Sequence, residues 1–314
     1  MQSPLSRSAS LRTRLTINGD AMTRQQLYEH CVKLLEESGA DDAQFDVLCI
    51  FQDMLSDKIP LFRPNEEVPQ EAHDKITDLV NRRCGGYPLQ YLLGEWEFFG
   101  YPFKVGEGVL IPRPDTETLI EQVLDYCSEQ NITAPKIIDL CSGSGCIAIT
   151  LKKQLPDAQV TAVEISDDAL KYLRENVKLN NADIKIVQGN VLSKECRELF
   201  SNIDIIVSNP PYLTDEDMRT LQKEVACEPA LALFGGNDGL GFYRAITELW
   251  KSSLIFGGAL FYEYGMGQHT DVAEIMKSNG FADVQLREDT AGILRTAQAI
   301  YCPDNSPQYT DNNH

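Results

Sequence analysis

The sequence predicts an α/β protein: a doubly wound sheet domain preceded by a small helical domain and a hairpin linker. Three observations predict it. Short apolar strands alternate with helices from about residue 115 onward, a glycine loop joins the first strand of that series to a helix, and the segment before residue 87 shows only helical periodicity. Strand–helix alternation implies a parallel sheet covered on both faces. Ligands of such sheets sit beyond the strands' carboxyl ends, where the strand order reverses.

Residues 1–21 mix Ser3, Ser6, Ser8 and Ser10 with Arg7, Arg12 and Arg14, and their only acid is Asp20. That composition resembles a transit peptide. The plainer reading, which we favour, starts translation at Met22 and makes 1–21 a disordered or mis-assigned leader. From Thr23 the pattern is helical: Leu27, Cys31, Leu34 and Leu35 share a face, and Gly39 follows as a stop. Phe45, Leu48, Phe51 and Leu55 suggest a second helical face, and Ile76, Leu79 and Val80 a third, ending before Gly85 and Gly86. The helical domain is therefore 22–86. Residues 87–114 are rich in Gly, Pro and aromatics, with strand-like pieces at 89–93 and 96–105, and read as a hairpin linker. The sheet domain covers 115–302. It opens with a helix over 116–128, and its strands fall at 136–140, 159–164, 184–188, 203–207, 259–263, 284–287 and 298–301. Helices start at 145 and 167 and cover 239–254 and 271–278. The polar tail, 303–314, is expected to be disordered.

A hydrophobic fraction of 43% with 24% charged residues is ordinary for a globular chain of 314 residues and excludes a disordered class. A net charge of -19 argues against a concentrated basic face for nucleic-acid phosphates, so no direct nucleic-acid partner is expected. The same charge suits a basic protein partner, or solubility alone. Nine cysteines without a CxxC pair read as reduced thiols of a cytoplasmic protein, and four scattered histidines match no metal-site spacing. No apolar run reaches the roughly 18 residues of a membrane span.

The first sheet strand runs into Asp139-Leu140-Cys141-Ser142-Gly143-Ser144-Gly145, and Gly143, Gly145 and Ala148 fit GxGxxG/A. Glu164 ends the next strand, near the spacing expected for a ribose-binding acid. This pattern alone fits NAD, S-adenosylmethionine or a turn with no ligand. Asp139 separates the two cofactors. A carboxylate about 4 Å from a phosphate charge costs on the order of 4 kcal/mol at an effective dielectric of about 20. The sulfonium and ammonium of S-adenosylmethionine would instead be attracted. The alternative for Asp139 is a strand-end acid that bonds backbone amides. After the third strand, Gly189-Asn190-Val191 offers Asn190 to an adenine amine and Val191 to its ring, or is a plain Gly-Asn turn.

The fourth strand ends in Ser208-Asn209-Pro210-Pro211-Tyr212. A proline-rich turn would account for the prolines but not for Asn209 and Tyr212 beside a cofactor loop. The chemistry that fits is methylation of a planar amide or exocyclic amine nitrogen, a poor nucleophile with a delocalised lone pair. The Asn209 side-chain oxygen and the Pro210 carbonyl can accept its two N–H groups, aim the lone pair and stabilise the charge that develops on attack. Pro210 and Pro211 stiffen the loop, and the Tyr212 ring gives a flat wall. Rival readings are a methyltransferase acting on adenine or guanine in nucleic acid, a nicotinamide oxidoreductase, and a binding subunit without activity.

Further segments carry a resemblance. Pro88-Leu89-Gln90-Tyr91-Leu92-Leu93-Gly94, Val109-Leu110-Ile111-Pro112-Arg113-Pro114-Asp115-Thr116-Glu117, and Glu228-Pro229-Ala230-Leu231-Ala232-Leu233 with Gly235, Asp238, Gly239 and Leu240 join the loop and the Asn-Pro-Pro-Tyr motif. Over roughly 22–301 the chain resembles the release-factor glutamine methyltransferases, the HemK/PrmC family. The resemblance implies a seven-stranded, Rossmann-like class I methyltransferase domain behind a helical substrate-recognition domain. It implies S-adenosylmethionine as cofactor and, as protein substrate, the glutamine of the Gly-Gly-Gln loop of class 1 peptide release factors. The cofactor residues it carries over are Cys141, Ser142, Gly143, Ser144, Gly145, Glu164 and Val191, and Asn209, Pro210, Pro211 and Tyr212 face the glutamine. The chain departs from the family pattern at Asp115 for Glu, Cys141 for Gly, Asn190 for Asp and Val191 for a larger apolar residue. A cysteine at 141 asks for an unstrained backbone there. Arg113 either bonds the cofactor or holds the linker, and Asp215-Glu216-Asp217 reads as a helix start.

Overall fold

The computed structural model describes residues 22–55 and 63–303. The leader expected over 1–21, and the expected tail apart from Pro303, lie outside the described residues. The chain divides into two compact units, Met1–Leu93 and Gly94–His314.

The first unit holds α1 (Arg24–Ser38), α2 (Ala43–Leu55), α3 (Gln70–Cys84) and α4 (Leu89–Leu93). A capping box between Thr23 and Gln26 starts α1, and Gly39, at φ 84°, ends it. Both devices satisfy backbone groups that a helix end leaves orphaned. Leu27, Leu35, Val47, Ile50, Phe51, Ile76 and Val80 form a fully buried core. At its edge Arg83 Nε donates to Asp46 Oδ2 at 2.6 Å. Breaking one side of such a buried pair costs about 3–5 kcal/mol.

Two expectations are corrected in this unit. The buried face of α2 is Ala43, Val47, Ile50 and Phe51, whereas Phe45 and Leu48 are 47% and 36% exposed. The helix carries two overlapping apolar stripes, and the one that turns inward also brings Asp46 to Arg83. Residues 89–93 are helical rather than extended: Leu92 N–H donates to Pro88 O at 3.1 Å, with Leu89 and Tyr91 buried. An apolar run this short has no decisive period.

The second unit opens with a hairpin of β1 (Glu95–Phe98) and β2 (Tyr101–Lys104). Its two-residue turn uses Phe99 at φ 52° and Gly100 at φ 75°, the left-handed pair that a tight hairpin turn needs. Then follow α5 (Asp115–Glu129), β3 (Lys136–Leu140), α6 (Cys146–Gln154), β4 (Gln159–Glu164), α7 (Asp167–Leu179), β5 (Lys185–Gln188), α8 (Lys194–Arg197) and β6 (Ile203–Ser208). After them come α9 (Asp215–Arg219), α10 (Ala230–Leu233), α11 (Gly241–Trp250), β7 (Leu254–Glu263), α12 (His269–Ser278), β8 (Phe281–Glu288) and β9 (Leu294–Tyr301). The helix expected over 239–254 stops at Trp250, and β7 reaches back to Leu254.

The seven strands lie in the order β5-β4-β3-β6-β7-β9-β8. β3 to β7 pair in parallel, but β9 is antiparallel to both neighbours, which corrects the all-parallel expectation. The reason is the short β8–β9 connection. Asp289 Oδ1 accepts from Ala291 N and Ile293 N in that turn, and a connection without a crossover helix can only reverse the chain.

Alternation along each strand feeds two cores. Ile137, Ile205 and Val207 face a layer with Leu119, Val123, Ile147, Leu151, Leu170 and Leu173. Ile138, Leu140, Ile206 and Leu260 face Tyr243, Ile246, Trp250, Val272 and Met276. The hairpin is tied to α7 by Asn176, whose Oδ1 accepts from Lys104 N at 2.6 Å and whose Nδ2 donates to Ser144 O at 3.0 Å. The strand order reverses between β3 and β6, so their carboxyl ends open the crevice in which a ligand is expected.

Candidate active site

The β3–α6 loop is built on left-handed backbone: Cys141, Gly143 and Gly145 have φ of 62°, 54° and 83°. Cys141 is therefore strained, contrary to the expectation of an ordinary backbone. The loop is pinned on both sides, with Ser142 N–H donating to Val163 O at 3.1 Å and Ser142 Oγ donating to Asp139 O at 2.9 Å. These bonds oppose the left-handed penalty of roughly 1–2 kcal/mol for a residue with a Cβ. A Cβ on Gly143 would meet nothing, whereas one on Gly145 would lie 2.2 Å from Leu173 Cδ1. Gly143 keeps space open above the loop, and Gly145 lets α6 approach α7.

A cleft of about 240 Å³ lies over this loop. Cys141, Ser142, Gly143, Ser144, Glu164, Asn190, Val191, Asn209 and Pro211 of the sequence-predicted residues line it. Asp139, Gly145, Pro210 and Tyr212 do not. Asp139 is fully buried behind the loop, where its Oδ2 accepts from Ala148 N at 3.2 Å. It takes the backbone-bonding arrangement rather than facing the cleft. Burial, the largest cause, pushes its carboxyl up to about 7. Glu164 is 7% exposed and accepts three backbone N–H groups, from Gly143 at 2.7 Å and from Ile165 and Ser166 at 2.8 Å each. Asn190 Oδ1 accepts from Leu192 N at 2.9 Å, an Asx turn that holds the β5 loop at the rim. Val191 is placed from behind, because Trp250 Nε1 donates to its carbonyl at 2.8 Å.

The Asn-Pro-Pro-Tyr loop continues β6. Ser208 Oγ donates to Leu140 O at 2.7 Å and locks the ends of β6 and β3 together. Asn209 Nδ2 donates to Thr116 Oγ1 at 3.4 Å, leaving Oδ1 as the acceptor end of the amide. The rest of the motif is packed against backbone: a Cβ on Gly235 would lie 2.6 Å from Pro211 O and Tyr212 Cα, and one on Gly239 2.3 Å from Tyr212 O. Gln268 Nε2 donates to Tyr212 O at 3.1 Å. Burial raises the Tyr212 hydroxyl above its ordinary pKa, so it stays protonated at neutral pH.

Arg113 lines the cleft and pairs with Glu228, which also accepts from Ile111 N at 3.1 Å. Arg113 thus stands where both expected roles are served: the Glu228 pair ties the linker, and the residue lines the cleft. Asp115 Oδ2 lies 3.3 Å from Arg295 Nε. Thr214 and Asp217 form a capping box, so the acidic run does start a helix, α9. Sequence reasoning gave no role to Thr116, although it lies in the segment 109–117, and missed Phe242 and Gln268, which no local pattern marks, and Glu263 at the end of β7. Glu263 shares with Glu164 the position of an acid closing an apolar strand, but not the ribose-binding spacing that singled out Glu164. Among the described residues no cluster of three or more His, Cys, Asp or Glu could hold a metal, and no helix is long and apolar enough to cross a membrane.

The strand order, the glycine loop at β3 and the Asn-Pro-Pro-Tyr loop at β6 define a class I methyltransferase. Known proteins agree. Residues 116–233 match the methyltransferase small domain, and residues 26–94 match the PrmC N-terminal domain. The chain is 41% identical to a release factor glutamine methyltransferase of Thermodesulfovibrio yellowstonii over 76% of its own length and 85% of the relative's. It is 32% identical to the one from Deinococcus radiodurans, over 88% of this chain and 98% of that one. This chain belongs to the release factor glutamine methyltransferase family. A solved structure of the hMettl16 catalytic domain, bound to a 3′UTR hairpin, shares the fold: TM-score 0.54 and 18% identity, covering 82% of this chain and 94% of that one.

Proposed function

We propose that this enzyme methylates the side-chain amide nitrogen of the glutamine in the Gly-Gly-Gln loop of class 1 peptide release factors, with S-adenosylmethionine as donor. One observation carries the reading: Asn209 of the motif lines the same cleft as the glycine loop and Glu164. The names of the family relatives support the substrate. The cleft suits the cofactor. Gly143 borders open space above the loop, and Glu164 at the end of β4 stands at the sequence spacing of a ribose-binding acid. Val191 and Ile165 supply apolar wall. S-adenosylmethionine, when bound, supplies a methyl group made electrophilic by the positive charge on sulfur.

The residues of the chain supply orientation. Asn209 Oδ1 accepts one N–H of the target amide, because its nitrogen is committed to Thr116. We assign the second acceptor to the Pro210 carbonyl and the flat wall for the amide plane to the Tyr212 ring, both from the motif that carries Asn209 and neither part of the cleft lining. Such fixed acceptors stabilise the positive charge that grows on an attacking amide nitrogen. Orientation in well-aligned systems contributes roughly 7–11 kcal/mol. No base is required before attack, in keeping with a described cleft lining that holds no histidine: the S–CH3 bond breaks as N–CH3 forms, the neutral thioether leaves with the electron pair, and the surplus N–H proton passes to solvent afterwards. The nine cysteines, none of them in a disulfide, support a cytoplasmic enzyme.

The test offers labelled S-adenosylmethionine, purified protein, the release factor of the same organism and its nucleic acid in one reaction. Label should reach the release factor, and should disappear when the Gly-Gly-Gln glutamine becomes alanine or when the enzyme carries Asn209→Ala. Label on nucleic acid instead would move the enzyme to the base methyltransferases.

A further inference from the structure

The mechanism above leaves one buried titratable group beside the motif unused. Glu263 closes β7 and is 2% exposed. Ser208 pairs with Tyr262 in the parallel β6–β7 register, so Asn209 and Glu263 leave adjacent strands side by side, and the nearby Thr116 hydroxyl and Asn209 amide both favour the charged form of Glu263. Among the described residues its Oε2 has no hydrogen-bond partner. Asn209 Nδ2 reaches Thr116 Oγ1 at 3.4 Å, and an amide nitrogen carries two hydrogens. One hydrogen is thus accounted for and the other is available to the carboxylate.

An ionised carboxylate only accepts hydrogen bonds. Facing it, Asn209 can present its nitrogen but not its oxygen. A protonated carboxyl group can donate, and then the amide is free to present either end. We propose that ionised Glu263 is a positioning residue: with Thr116 it holds the Asn209 nitrogen inward, so that the Asn209 oxygen is presented to the substrate nitrogen. This inference rests on the amide-methylation reading above. A buried charge beside the amide also polarises it, which makes the oxygen a stronger acceptor.

The surroundings set when this works. Asp115 from α5 raises the Glu263 pKa, and Arg295 from β9 lowers it. Tyr243 from α11 donates its hydroxyl to the Glu263 main-chain oxygen at 3.0 Å, and the Tyr212 hydroxyl and the Cys146 thiol of α6 also feel its charge. Burial is the largest influence and pushes the carboxyl up to about 7. The group therefore ionises as pH rises through neutrality, and turnover should rise with it.

The experiment measures kcat, and KM for both substrates, from about pH 5 to about pH 9 for the full chain, Glu263→Gln, Glu263→Asp, Thr116→Val and Asn209→Ala. The wild type should show a rising limb in kcat centred near the value of about 7. Glu263→Gln should lose about 10–100-fold in kcat and lose that limb, with KM for the cofactor within about twofold. Glu263→Asp should keep the limb and recover part of the rate. Thr116→Val should lower kcat and leave the limb in place. A Glu263→Gln enzyme with wild-type kcat, or one that keeps the limb, overturns the inference. A flat wild-type profile overturns it too, and that result does not depend on any variant folding. If Asn209→Ala abolishes transfer while Glu263→Gln does not, this inference alone falls. If Asn209→Ala leaves transfer intact, the amide-methylation reading falls with it.

Discussion

The carboxyl ends of β4 and β7 each carry a buried glutamate, and the two are held in opposite ways. Glu164 accepts three backbone N–H groups and faces the cleft. Glu263 sits at the back of the Asn-Pro-Pro-Tyr loop with one oxygen unpartnered among the described residues. Fixed backbone donors orient a carboxylate and hold it at the cleft wall, suited to gripping a ligand. A desolvated carboxyl with side-chain donors only is poised between its two forms, suited to orienting a neighbour. Asp139 belongs with Glu263 in being desolvated: it is fully buried, accepts at Oδ2 from the Ala148 backbone N–H and is unpartnered at Oδ1 among the described residues.

The largest expected effect separates the two glutamates by what they control. Glu164→Gln puts an NH2 group among backbone donors, so calorimetric titration should show about a 10–100-fold loss in S-adenosylmethionine affinity, alongside a lower melting temperature. Equal affinity in this variant and the wild type would erase the distinction drawn here. A smaller effect is read in stability against pH. The folded Asp139 holds its proton up to about 7, against an ordinary value of 3.8. Its contribution is complete below the unfolded pKa and is lost as pH rises through the folded one, at up to about 1.4 kcal/mol per pH unit. Asp139→Asn keeps an acceptor for Ala148 N–H and cannot ionise. Urea unfolding should therefore show the variant gaining on the wild type between about pH 4 and about pH 7. A variant-minus-wild-type stability that stays level or falls over that range would contradict the assignment of Asp139 to the desolvated class. The smallest effect concerns the loop between them. Cys141→Gly relieves a φ of 62° but loosens the unfolded chain, so the net gain should be at most about 1 kcal/mol by the same unfolding measurement. A loss of stability would show that the Cys141 side chain contributes packing beyond its strain.

These contrasts also show what the sequence could and could not reveal. The alternation of strands and helices, the loop at β3 and the motif at β6 were legible because each is a local pattern with one structural solution. Cys141 to Ser144, Asn209 and Pro211 fell into the cleft for the same reason, whereas Asp139, Gly145, Pro210 and Tyr212 of the same segments did not. What was hidden depends on contacts between distant segments. Nothing near Thr116 announces that it meets Asn209, 93 positions away. Asp139 could be read as facing a ligand or facing backbone, and only the packing of α6 against β3 selects the second. The wrong stripe of α2 and the helical 89–93 were errors of short windows, in which apolar residues support two answers. The reversal of β9 was missed because the alternation rule counts elements and ignores the length of the last connection.

The central claim is that the cleft joining the glycine loop to Asn209 directs one methyl group to one amide nitrogen. Peptide mass spectrometry of the release factor after reaction, with the modified atom mapped by fragmentation, tests it most directly. The account predicts a single methyl group on the side-chain amide nitrogen of the Gly-Gly-Gln glutamine, absent with Asn209→Ala. A methyl group on another residue, or on that glutamine with the Asn209→Ala enzyme, would contradict it.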